Sequence, residues 1–136
     1  MNAAPSVFGW LEEFAACVRN RDLERGRQLF DPGVRSFGTR AEDARDLSDL
    51  LTRQWTRVWF NTRGFRFLEE TIEELASEDG SQVCVLALWE SEGLTAEGRP
   101  FRRRGRCTVV LRRRDADATG YVAVHTHFSK TPADEL

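Results

Sequence analysis

Apolar residues early in the chain recur three and four positions apart. Val7, Trp10, Leu11, Phe14 and Val18 form one stripe of a helix that opens at Ser6, a side chain suited to capping the first free N–H groups. Asn20-Arg21-Asp22 interrupts the stripe, and Asp22 is placed to cap a second short helix over residues 23–30. Asp31-Pro32-Gly33 is expected to end it, since proline lacks an N–H and glycine favours turns. Two helices in such close succession predict a helical hairpin. A short extended piece over 34–38 and a polar loop over 40–46 follow. A third helix is predicted from about residue 44 to 59, on the stripe Leu47, Leu50, Leu51, Trp55, Val58 and Trp59.

From Gly64 the period changes to two. Phe65 and Phe67 alternate with Arg66, but Leu68 then takes the apolar role, a parity slip that predicts a bulge or bend. Asp79-Gly80 marks a turn. Val83 to Trp89 is apolar at every position, and so is most of 107–111 within a strand over 101–114. A long hairpin tip over 92–100 joins those two strands. The last strand, 120–129, alternates Tyr121, Ala123, His125, His127 and Ser129 with Val122, Val124, Thr126 and Phe128, and each set is expected to share a face. The plan is α+β: helix, helix, short strand and helix, then four long antiparallel strands with the helices on one face. Three helices cover one side of a sheet. Strands apolar on both sides need a second cover. The simplest cover is another copy, so a homodimer through the outer sheet face is expected.

Composition narrows this picture in a few places. At 136 residues the chain fits a single domain, residues 1–136. The net charge of −2 argues against a nucleic-acid partner, and no apolar run approaches the length of a membrane span. The first residues carry no basic stretch and are interrupted by Glu12-Glu13, so no signal peptide is expected. Cys17, Cys84 and Cys107 are dispersed within apolar pattern. They read as free thiols in a reducing, cytoplasmic setting.

Beyond this point the residues carry a resemblance. Phe37-Gly38-Thr39, Gln54-Trp55 to Trp59, Arg63-Gly64-Phe65-Arg66-Phe67, the stretch 105–113 and the closing His125-Thr126-His127-Phe128-Ser129 resemble the SnoaL-like branch of the nuclear transport factor 2-like superfamily. That branch is related to the association domain of calmodulin-dependent kinase II. The resemblance implies three N-terminal helices on a curved antiparallel sheet that closes into a cone, a pocket between helices and sheet, and dimers through the convex face. It implies no single reaction. Tyr121 stands where tryptophan is frequent in the family. The kinase domain's pocket arginines fall on Val109 and Phe128 here, so that anion-binding role does not carry over.

Candidate chemistry follows from both lines. Trp10, Phe37, Trp55, Trp59 and Trp89, with Val109 and Phe128, are the material for an apolar ligand pocket or for a packed core. His125 and His127 lack further ligands at metal-site spacing, so no metal is expected, and no cofactor motif is present. They remain open as acid/base groups or as a hydrogen-bonded pair at a dimer interface or pocket rim. Asp31, Glu69 and Glu90 are the candidate bases for proton transfer. The arginines between Arg99 and Arg114 read as a solvated, salt-bridged hairpin, with Arg106 the one expected to be half-buried. The expected function is binding of a small, mainly apolar molecule. The alternatives are a non-catalytic assembly module and an isomerase or cyclase.

Overall fold

The computed structural model describes residues 5–132. Helix α1 (Val7–Asn20) starts where the Ser6 hydroxyl accepts the Gly9 N–H at 2.8 Å, and it buries the predicted stripe. Asp22 caps α2 (Leu23–Arg27) in the same way, accepting the Arg25 N–H at 3.0 Å. This helix stops earlier than the sequence implied. The chain then enters strand β1 (Phe30–Phe37), which runs through Asp31-Pro32-Gly33 rather than turning there. The strand tolerates proline because it lies at the sheet edge, and its pairing is irregular between Phe30 and Arg35.

The third helical segment, 47–61, is not a uniform helix. It begins as α3 (Leu47–Leu50), with Asp46 accepting the Asp49 N–H at 2.8 Å. It then widens into a π turn over Leu51–Trp55, resumes as α4 (Thr56–Val58) and tightens into a 3₁₀ turn over Trp59–Asn61. It starts at the first residue of the stripe, Leu47, three residues after the start predicted near residue 44, where Ala44 is held by paired backbone bonds to Ser36.

Five further strands complete the sheet: β2 (Thr62–Phe67), β3 (Glu73–Ala76), β4 (Gln82–Leu94), β5 (Pro100–Arg113) and β6 (Tyr121–Lys130). The order is β1-β6-β5-β4-β2, with β3 also paired to β4. One pair departs from the antiparallel plan: β1 runs parallel to β6. The parity slip after Phe67 marks a bend rather than a bulge. Strand β2 ends there and a 3₁₀ turn, Glu69–Thr71, separates it from β3. The irregularity in β2 lies earlier, between Arg63 and Arg66, where Gly64 adopts φ +63°.

A second slip corrects the reading of the last strand. Val110 pairs with His125, yet Leu111 pairs with Ala123, so Val124 is an extra residue. The bulge turns Tyr121 and Ala123 into the core, while Thr126 and Phe128 face the same interior further along. The expected face of Tyr121, Ala123, His125, His127 and Ser129 is therefore split.

The core fills the concave side of the sheet. Trp10, Leu11, Val34, Val85, Val109 and Leu111 are fully buried, each worth roughly 1.5–3 kcal/mol of transfer out of water. On the convex side of the same strands Cys84, Leu86 and Val110 are only half-buried, and Leu88 is 39% exposed. Among the described residues no helix is long and apolar enough to cross a membrane.

Candidate functional site

A cavity lies between the helices and the concave face. Eight aromatic residues line it, among them Phe14, Trp55, Trp59, Phe65, Trp89 and Phe128. The indoles of Trp55 and Trp59 stack at 4.4 Å with 19° between their planes. The rings fill much of the cone. About 60 Å³ remains in which the centre of a water molecule fits, several times what one water needs. A wider mouth of about 460 Å³ adjoins it, sharing Thr39, Val58 and Arg103 with the inner cavity.

The polar groups are few and local. The π turn carries both Gln54 and Trp55 inward, and such wide turns recur at functional sites. The Gln54 Oε1 accepts the N–H groups of Arg40 and Ala41 at 2.7 and 2.8 Å, and its Nε2 donates to the Thr39 hydroxyl at 3.0 Å. This amide fastens the 39–41 loop over the mouth. The Ser36 and Thr126 hydroxyls share a buried hydrogen bond of 2.7 Å. Thr62 donates its hydroxyl to the Val58 carbonyl at 2.7 Å and receives a longer bond, 3.4 Å, from Arg103 Nη1.

Ser91 and Arg103 face each other across β4 and β5. Neither the Ser91 hydroxyl nor the Arg103 Nε has a hydrogen-bond partner among the described residues. The Arg103 guanidinium lies 5.8 Å from the centre of the Trp89 ring. Burial, and secondarily the charge of Arg40, makes the protonated form of Arg103 less favourable than usual, although an arginine stays charged. Glycine makes this packing feasible. A Cβ on Gly105 would come within 2.2 Å of both the Trp89 ring and the Ser129 carbonyl, so only glycine lets the indole lie across β5.

Of the aromatic candidates read from the sequence, Trp55, Trp59, Trp89 and Phe128 line the cavity. Trp10 and Val109 stand behind the wall, fully buried, with the Trp10 indole N–H donating to the Leu29 carbonyl at 3.0 Å. Phe37 reaches the cavity edge, but its ring lies edge-on to the imidazoles of His125 and His127, at 5.6 and 5.5 Å, and is 43% exposed. His127 opens onto the convex side with Leu86, Leu88 and Thr108. His125 bonds the Arg35 carbonyl through Nδ1 at 2.8 Å.

The candidate bases also lie elsewhere. Glu90 is on the convex face between Arg66 and Arg102, and the Arg66 hydrogen bond chiefly holds its carboxyl below the usual range. Asp31 accepts the Gly33 N–H at 2.9 Å, and Glu69 is exposed in its 3₁₀ turn. Among the described residues no carboxylate lines the cavity or its mouth. Arg106, expected to be half-buried, is exposed on the convex side, and within the run from Arg99 to Arg114 the half-buried arginine is Arg103. The signal for Arg103 and Ser91 was strand parity. Arg103 continues the inward series Cys107, Val109, Leu111, and Ser91 continues Val85, Ala87, Trp89. Gln54 gave no such signal, because its inward turn depends on the π geometry.

Helices laid in a curved, six-stranded sheet around an aromatic cavity define a cone-shaped α+β fold of the nuclear transport factor 2-like kind. The profile of the SnoaL-like domain matches residues 9–134, and the chain belongs to that family. Solved structures agree on the fold. An NTF2-like superfamily protein from Salmonella enterica serovar Typhimurium superposes with a TM-score of 0.76 at 16% identity, over 94% of this chain and 90% of that one. A ketosteroid isomerase-like protein from Erwinia carotovora gives 0.75 at 14% identity, over 93% and 95%. The CaMKII hub of S. rosetta gives 0.72 at 20% identity, over 96% and 100%. No curated protein sequence matches the chain.

Proposed function

We propose that this chain is a single SnoaL-like domain that binds a small, mainly apolar molecule in its cone and works as a cytoplasmic homodimer. The observation that carries the binding reading is the cavity itself. An aromatic wall encloses open space, and buried polar atoms aimed into that space find no partner among the described residues. A core meant only to be filled would not keep a serine and an arginine opposite each other inside it.

The dimer reading rests on the convex face. Cys84, Leu86, Leu88 and Val110 leave apolar surface open on the middle strands, and a second copy is the simplest cover. One structural relative is itself named a hub. The three free thiols fit a reducing compartment. A proton-transfer reading has less support, since no carboxylate lines the cavity among the described residues.

Native and denaturing mass spectra of the purified protein test both parts together. A dimer carrying extra mass that leaves on denaturation supports them. A monomer sinks the dimer. A clean dimer that also fails to take up any small apolar compound in soaking leaves an assembly module as the reading.

A further inference from the structure

Ser91 and Arg103 are register partners on adjacent antiparallel strands, and both point to the concave side. Ser91 is only 6% exposed, and its hydroxyl has no partner among the described residues. Arg103 offers an unpaired Nε–H and one long bond to Thr62. A buried donor without an acceptor loses the hydration it had in water, and a half-buried cation is stabilised by a nearby anion. None is supplied: no Asp or Glu lines the inner cavity or the mouth among the described residues, while Arg40, Arg57 and Lys130 join Arg103 around the mouth. Room has been kept for the guanidinium as well. A Cβ on Gly93 would sit 2.8 Å from the Arg103 Cδ.

We propose that the cavity takes a small organic monocarboxylate. Its carboxylate binds Arg103 and the Ser91 hydroxyl, and its ring or branched chain lies against Trp55, Trp59 and Trp89. This rests on the reading of the cavity as a small-molecule site. The planar guanidinium fork suits a carboxylate, which accepts two parallel N–H bonds and one more from a hydroxyl. The carboxylate also offsets the repulsion between Arg103 and Arg40. The inner space of about 60 Å³ limits the apolar part to a compact group. The ring of basic side chains at the mouth draws anions in, an attraction that salt weakens.

Matched acids and amides test the assignment. Benzoate with benzamide, and isovalerate with isovaleramide, are titrated against the full chain by calorimetry and by the emission of the cavity tryptophans. The parent protein is expected to bind an acid at least tenfold more tightly than its amide. In Arg103→Gln that preference disappears, whereas Arg103→Lys keeps part of it. Ser91→Ala weakens acid binding by a smaller factor. Circular dichroism and melting curves establish that each variant is folded, and Arg103→Lys serves if Arg103→Gln is not. If acid and amide bind equally, or Arg103→Gln keeps the preference, the anion assignment is overturned and the apolar cavity survives. If no acid and no amide binds, both readings fall.

Discussion

Strand β4 has two apolar sides with different fates. Val83, Val85, Ala87 and Trp89 point inward and are buried beneath the helices; Cys84, Leu86 and Leu88, one residue out of step, stay partly open. In a strand, one position of offset exchanges core for surface. Composition alone does not distinguish the two rows. What distinguishes them is which side the helices occupy; the inner row is a matter of folding, and the outer row is the surface on which the proposed dimer rests.

The largest expected effect breaks the inner row. Val85→Asp places an unpaired charge where exposure is 0%, and no folded protein is expected by circular dichroism. A native spectrum from this variant would show that the interior is far looser than described. Gly105→Ala comes next. Its new methyl meets a backbone carbonyl and the Trp89 ring, neither of which gives way cheaply, so urea unfolding should lose about 1–3 kcal/mol. An unchanged midpoint would mean that Trp89 does not lie across β5.

The outer row is tested by Leu88→Asp. This variant should fold with a near-parent melting curve yet sediment as a monomer where the parent sediments as a dimer. Loss of fold would place Leu88 functionally with the inner row. The mildest effects are those of the thiols. Burial pushes Cys107 up to about 12, and burial followed by the charge of Glu13 raises Cys17 to about 11. Half-buried Cys84 should therefore react first with iodoacetamide at pH 8, and faster in Leu88→Asp than in the parent. The linkage has a definite sign. A thiol whose folded pKa is raised adds stability below the unfolded value near 8.5, and that stability is lost as pH rises toward 11 and then 12. Equal labelling of all three cysteines in the folded protein would contradict the burial of two of them.

Much of this fold was legible because it rests on local patterns. The stripe from Val7 to Val18, the Ser6 and Asp22 caps and the doubly apolar strands all express periodicity or a single side-chain bond. What escaped depended on partners distant in sequence. Pro32-Gly33 looks like a turn until β6 is laid beside it, and Val124 looks in phase until its neighbour β5 shows the extra residue. The cavity's aromatic wall was readable as large apolar residues. Its polar pair was harder to read: parity puts Arg103 in phase with Val109 and Ser91 in phase with Trp89, but on strands apolar on both sides parity does not say which side is inward.

The parallel pairing of β1 with β6 has a consequence for how the protein is made. Strand β6 lies between β1 and β5, yet it is synthesised after every other strand. As the chain leaves the ribosome, β1 waits without its neighbour through some ninety residues of synthesis, a separation like that from Ser36 to its hydroxyl partner Thr126. Contacts of such long range slow folding and keep an unpaired edge open to other chains. The pairing that seals the cone therefore waits for β6, the last strand of the described residues to be made.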